Sequence, residues 1–277
     1  MRNCKIIALD LDGTLLDSEK RLSPENYAAL AKASAAGIEI VPTTGRFFDA
    51  MPQVVRDLPF LHYAITINGA EVYDIRARRA VCRAEIPLQQ AEEIMHYLDG
   101  FPVVYDCYMD GWGYMTRTLQ EKCGEYAPDI HYFEMLTRFR KPVDNLIDFI
   151  RERGHDVQKI QFFMKDASAK LRWMDELEQR FPDIIATSSV VNNIELNNVH
   201  ASKGKGLAAL CSYLGCDISE TIAFGDGLND LSMIRAAGLG VAMENAVQCV
   251  KDAADVITAD CDSSGVAKGI EAYCFGC

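Results

Sequence analysis

The chain has 277 residues, of which 49% are hydrophobic and 25% charged, and carries a formal net charge of -12. That length suits one large domain or two moderate ones. The acidic balance, with no basic block, argues against a nucleic-acid partner, which clustered Lys and Arg would have to meet.

No apolar run approaches the roughly 18 residues that suggest a membrane span. The opening "MRNCKIIALD" turns acidic too soon for a signal peptide, so a cytoplasmic chain with no membrane partner is expected. Ten cysteines, scattered along so long a chain, read as reduced thiols rather than a disulfide framework. The terminal "CFGC" has no second pair or nearby His to complete a zinc site and is taken as incidental.

In chain order, residues 5–10 (KIIALD) form a short continuous apolar run, the pattern of a strand buried on both faces of a parallel sheet. Ser23-Pro24 predicts a helix start, with Ser23 as N-cap and Pro24 at the first helical position; Gly37 is its stop. Residues 38–42 predict a second strand running into "TTGR", a helix follows, and "HYAITINGA" at 62–70 predicts a third strand. Strand and helix in alternation indicate a doubly wound α/β core.

From 81 the order becomes mixed. Strand-like material, a helix and two short strands lead to helices near 142–153 and 167–180, a strand at 157–165 and one or two more at 183–198. This reads as an inserted α+β module. The α/β rhythm then returns with a helix capped by Ser202, the strand of "TIAFGDG", the helix of "LNDLSMIRAAG", and short strands at 239–243 and 254–258. The expected architecture is a Rossmann-like parallel-sheet core made of 1–83 and 188–277, with a cap of 84–187 between.

Ligands of open α/β sheets gather at the C-terminal strand ends, and four polar clusters fall there. In Asp10-Leu11-Asp12-Gly13, side-chain alternation turns both carboxylates the same way. Their repulsion calls for a proton or a cation between them, for which oxygen-loving Mg²⁺ is suited. Gly13 lets the backbone turn and offer N–H groups to an anion.

Thr43-Thr44-Gly45-Arg46 offers a hydroxyl, a flexible N–H and a basic head for phosphate oxygens. Lys203, at a helix start in "SKGKG", is unfavourable for the helix dipole unless it works on an anion. Asp226 and Asp230 of "GDGLND" lie four apart and share a face once a helix begins. Each cluster alone also fits a structural role as turn, cap or solvated charge; four in order do not.

These residues resemble the haloacid dehalogenase-like phosphohydrolases. "DLDGTL" looks like their first motif, Thr44 the second, Lys203 the third and "GDGLND" the fourth, while "TINGA", "DSSGVAKGI" and the insertion resemble the Cof-type members with a C2-type cap. The resemblance implies that Asp10 is a nucleophile forming an aspartyl-phosphate and that Asp12 is the general acid/base. It implies that Thr44, Gly45, Lys203 and Asn229 hold the phosphoryl group. Mg²⁺ would be held by Asp10, the backbone carbonyl of Asp12, and Asp226, with Asp230 close by.

The implied activity is hydrolysis of small phosphorylated metabolites such as sugar phosphates. A phosphomutase would isomerise a hexose phosphate without releasing phosphate, and a non-catalytic sugar-phosphate sensor would bind without turnover. The Asp10/Asp12 pair speaks against the sensor. Tyr105, Tyr108, Trp112 and Tyr114 are aromatics of the cap that either face a substrate or pack. Oligomeric state is not readable.

Overall fold

The computed structural model describes residues 4–127 and 130–276, with the backbone alone at His131 and Tyr132. Cys277, and with it the terminal CxxC pair, lies outside the described residues. None of the nine described cysteines forms a disulfide. Among the described residues no helix is long and apolar enough to cross a membrane. The chain divides into two compact units, Met1–Arg83 with Ser202–Cys277, and Ala84–Ala201.

The strands run in order β1 (Ile6–Leu9), β2 (Glu39–Pro42), β3 (Tyr63–Thr66), β4 (Glu71–Asp74) and β5 (Arg79–Arg83) in the first segment. The second unit carries β6 (Val103–Met109), β7 (Trp112–Thr116), β8 (Arg140–Val143), β9 (Lys159–Met164), β10 (Ile184–Thr187) and β11 (Asn193–Asn198). The returning segment carries β12 (Thr221–Gly225), β13 (Leu239–Ala242) and β14 (Val256–Ile257).

The first unit is built on a five-stranded sheet in the order β14-β13-β12-β1-β2, parallel at every pairing. β1 lies inside it, and its Ile-Ile-Ala-Leu run is at most 1% exposed. Such a strand has no polar face to show, which is why it reads as unbroken apolar sequence.

The helix Pro24–Ala35 starts as expected, its N-cap Ser23 accepting from the Asn26 amide. β3 sits beside β2 through isolated parallel bridges at Ile40–Leu61 and Thr43–Ile65. It then opens an antiparallel sheet, β3-β4-β5. The helix expected after "TTGR" is only a 3-10 turn at Phe48–Ala50 and a single turn at Gln53–Arg56. Pro52 at the junction has no N–H to continue a helix across it.

The second unit is a six-stranded sheet, β10-β11-β9-β6-β7-β8, antiparallel except for β7 with β8. Residues 188–201, expected with the core, belong here instead, because β11 is hydrogen-bonded between β9 and β10. One sheet face is apolar and packs with helix residues Ile94, Leu98, Ile150 and Leu177.

Tyr105, Trp112 and Tyr114 lie on that apolar side, so they pack within the unit. Tyr108 alternates to the other face, beside a fully buried charge pair in which Arg140 Nε lies 3.0 Å from Asp106 Oδ2. Arg140 also donates to the Tyr108 hydroxyl at 2.7 Å, and Gln161 to Asp106 at 2.9 Å.

Candidate active site

Three adjacent parallel strands bring the sequence clusters to one sheet edge. Asp10 follows β1 and continues the ladder, its amide donating to Phe224 O at 3.0 Å. Thr43 and Thr44 follow β2, their amides donating to Leu9 O at 2.7 Å and Ile65 O at 2.8 Å. Asp226 follows β12 directly. The carboxylates of Asp10, Asp226 and Asp230 each offer an oxygen within 4.8 Å of the others.

Gly13 is what lets the chain turn here. Its φ is +85°, and a Cβ at this position would stand 2.6 Å from Asp226 Oδ2. Both the left-handed backbone and the close approach therefore require glycine. The next residue, buried Thr14, donates its hydroxyl to Asp226 Oδ1 at 2.8 Å and so orients that carboxylate. Asn245 closes the turn from the other side, donating to Gly13 O at 2.8 Å.

Lys203 is the first residue of the helix Lys203–Leu214, whose N-cap Ser202 accepts from the Lys205 amide. Its side chain is fully buried, and its Nζ donates to Asp10 Oδ1 and Asp230 Oδ1, at 2.5 Å each. Lys205, the other lysine of "SKGKG", is exposed. The helix comes this close because Gly204 and Gly206 have no side chains: a Cβ on Gly204 would lie 2.3 Å from Ser232 O, and one on Gly206 would lie 2.7 Å from Ile65 Cγ2.

Asp230 differs from the expectation. It does not share a helix face with Asp226; residues Leu228–Asp230 form a 3-10 turn, and Asp230 Oδ2 folds back to accept the amides of Asp226 and Gly227, at 2.8 Å each. Gly225 leaves room for it, since a Cβ there would touch Asp230 Cβ at 2.5 Å. Asp230 thus shapes the loop that presents Asp226 while its other oxygen holds Lys203.

Asp12 departs from the expectation of a carboxylate pair around one cation. Its carboxylate is outside the Asp10/Asp226/Asp230 cluster. It is gripped by Arg46, whose Nε donates to Oδ2 at 2.9 Å and Nη2 to Oδ1 at 3.1 Å, and Lys20 Nζ lies 2.9 Å from Oδ1. The repulsion expected between the two acids is relieved by giving each its own cation, Lys203 for Asp10 and Arg46 with Lys20 for Asp12. Arg46, read from sequence as a phosphate contact, is turned to a carboxylate instead.

Charge sets the titration of the cluster. Burial drives Asp10 well above the usual carboxylate range, with Lys203 opposing and Asp230 and Asp226 adding to it. Burial and the neighbouring Asp230 push Asp226 up to about 7. Burial works against the Lys203 ammonium, but Asp10 and Asp230 outweigh it and hold its pKa above the ordinary value. Burial would also raise Asp12, but Arg46 and Lys20 outweigh it and hold its carboxyl below the usual value.

Fully ionised, three carboxylates against one ammonium would leave two negative charges unmatched. A hard divalent cation fits that donor set and that charge.

Of the remaining expected residues, Thr44 is 2% exposed and its Oγ1 accepts from the Arg46 amide at 3.2 Å; Gly45 is between them. Asn229 lies on the turn after Asp226 and donates its amide to Asn68 Oδ1 at 3.3 Å. Asn68 belongs to "TINGA" and holds a left-handed φ of 57°. Sequence reasoning assigns no role to Thr14, Lys20, Asn68 or Asn245. Only Asn68 and Thr14 had a signal there, by lying inside "TINGA" and "DLDGTL".

Similarity to known proteins follows the same residues. The family model described as haloacid dehalogenase-like hydrolase matches residues 7–270. The chain is 32% identical to phosphatase YwpJ of Bacillus subtilis (strain 168), over 95% of this chain and 97% of that protein. It is 30% identical to pyridoxal phosphate phosphatase YbhA of Escherichia coli (strain K12), over 97% of this chain and 98% of that one. The structure of a haloacid dehalogenase-like hydrolase from B. subtilis superposes with a TM-score of 0.85 at 29% identity, covering 97% of this chain and 99% of that one.

Proposed function

The chain belongs to the haloacid dehalogenase-like hydrolases and is a phosphoric monoester hydrolase, and from the geometry of its site we propose that it cleaves small phosphorylated metabolites with Mg²⁺ through an aspartyl-phosphate on Asp10. The observation that carries this reading is the pairing of the two first-motif acids with different cations. Asp10 is buried against Lys203 beside Asp226 and Asp230, and Asp12 is turned away to Arg46 and Lys20. Two like groups in unlike surroundings have the makings of a nucleophile and a proton carrier.

Asp10 attacks phosphorus in line with the leaving oxygen, and Lys203 balances charge on the phosphoryl oxygens. Thr44, Gly45 and Asn229 hold the same oxygens. Asp12 gives a proton to the leaving oxygen, then takes one from the water that hydrolyses the acyl-phosphate. An approaching phosphate dianion raises the proton affinity of Asp12 against its two cations, which suits its first role. Asp10, Asp226, the Asp12 carbonyl and, at one remove, Asp230 would hold Mg²⁺, which when bound neutralises the repulsion between carboxylate and phosphate.

Sugar phosphates are the first substrate class to test, and phosphorylated vitamins the second, given the 30% identity to a pyridoxal phosphate phosphatase. The purified protein should release phosphate from p-nitrophenyl phosphate with Mg²⁺ and stop with EDTA. An Asp10→Asn enzyme that kept full activity would overturn the mechanism.

A further inference from the structure

Asp12 is held by more than a proton carrier needs for charge alone. Arg46 commits Nε and Nη2 to it and Nη1 to Ala50 O at 3.2 Å, so its guanidinium is locked in one plane. Lys20 Nζ adds a second cation, 2.9 Å from the Oδ1 that Arg46 Nη2 also holds, and its backbone is left-handed at φ 63°, a conformation costly for residues other than glycine.

That turn is built by Asp17, five residues after Asp12. Asp17 Oδ1 accepts the amides of Glu19 at 2.9 Å and Arg21 at 2.8 Å, Oδ2 accepts Arg21 Nε at 2.9 Å, and the Asp17 amide donates to Arg21 O at 3.0 Å. The Lys20 amide donates to Asp17 O at 2.9 Å. The Lys20 side chain is 47% exposed, and an exposed ion pair adds little to stability. The same turn closes the Leu16–Leu22 bridge and seats the Ser18 amide on Asp262 Oδ1 at 2.8 Å, and so holds Lys20 in a fixed place beside Asp12.

We propose that Lys20 and Arg46 form a two-cation clamp that positions the Asp12 carboxylate for proton transfer to the leaving group, with Asp17 building the turn that presents Lys20. This inference rests on the phosphatase reading above. A carboxylate with only one partner can rotate about its Cα–Cβ and Cβ–Cγ bonds. One held by a fork and by a second cation keeps a fixed direction, and small misplacements of a proton donor are costly in rate.

The test uses leaving groups. p-Nitrophenolate departs without a proton, whereas an alkyl alkoxide needs one, so a misplaced Asp12 should slow phosphoryl transfer to Asp10, which kcat/KM reports, only from the alkyl ester. In Lys20→Met and Arg46→Lys enzymes, kcat/KM on the best alkyl phosphate should fall at least about tenfold further than on p-nitrophenyl phosphate, against the roughly hundredfold or more that a general acid supplies. Inhibition by inorganic phosphate should stay unchanged, and Lys20→Arg should restore most of the loss. Lys20→Met is an exposed change and should fold.

An equal fall on both substrates, or weakened phosphate inhibition, would make these residues phosphate ligands and overturn the clamp alone. No change in either variant would do the same. Absence of magnesium-dependent, Asp10-dependent release from the unaltered enzyme would overturn the underlying reading, and the clamp with it.

Discussion

At the scale of single residues, the site is a set of short-range necessities. Gly13 has no substitute: alanine there meets both a left-handed φ and Asp226 Oδ2. Gly13→Ala should destabilise the fold by about 1–3 kcal/mol in urea unfolding and cost most of the phosphatase activity, because the Asp226 carboxylate must move. Retained activity would mean that Asp226 is not held where the chemistry needs it.

Asp226 also carries a pH signature. Its pKa rises from 3.8 to about 7 on folding, so between those values the folded chain holds a proton that the unfolded chain has released. Stability from this group is therefore fully present below the lower value and is lost as pH rises toward 7. A divalent cation must displace that proton. Mg²⁺ should accordingly raise the melting temperature more at pH about 8 than at pH about 5.5, and Asp226→Asn should shrink the difference, Asp10 keeping its own share. Equal metal-induced shifts at both pH values would contradict the assignment.

At the scale of elements, position comes from how closely a helix can approach a strand end. Gly204 and Gly206 let the helix Lys203–Leu214 seat its first residue against Asp10 and Asp230. Gly204→Ala would drive a Cβ into Ser232 O and should cost about 1–3 kcal/mol, with a loss of kcat as Lys203 withdraws. Full activity at unchanged stability would show that the helix has slack.

These elements were legible because each is marked locally: an apolar run, then an acid or hydroxyl, then glycine. What Asp12 touches was not, because Arg46 is 34 residues away and nothing in either motif says which carboxylate a guanidinium will choose. β8 was missed for a related reason. "RKPV" carries a proline and runs into the amphipathic pattern of the next helix; it is an edge strand, where proline is tolerated.

At the scale of the whole molecule, the chain is two units with separate apolar cores. The split core could be read from the change of rhythm near 83. Its return point could not. β11, "NIELNN", puts Ile194 and Leu196 on one face and Asn193, Glu195 and Asn197 on the other, a pattern that fits any half-polar sheet. Pairing with β9 and β10 decides where it belongs.

The second unit's stability can be probed without touching the proposed chemistry. Asp106 and Arg140 are fully buried partners, so Arg140→Met leaves a buried acid without its ion-pair partner and should cost about 3–5 kcal/mol by calorimetry or urea unfolding. A loss under about 1 kcal/mol would mean that water reaches Asp106.

On the proposed mechanism Asp10 takes the phosphoryl group. Asp12→Asn should still accept it from p-nitrophenyl phosphate, whose leaving group needs no proton, but should be slow to activate the water that removes it. Acid quenching of that variant during turnover with Mg²⁺, followed by peptide mass analysis, is the most direct measurement. The expected result is one added phosphoryl group on the peptide containing Asp10, absent in the Asp10→Asn/Asp12→Asn double variant. A burst of p-nitrophenol with no phosphorylated peptide, or with the label on another residue, would contradict it.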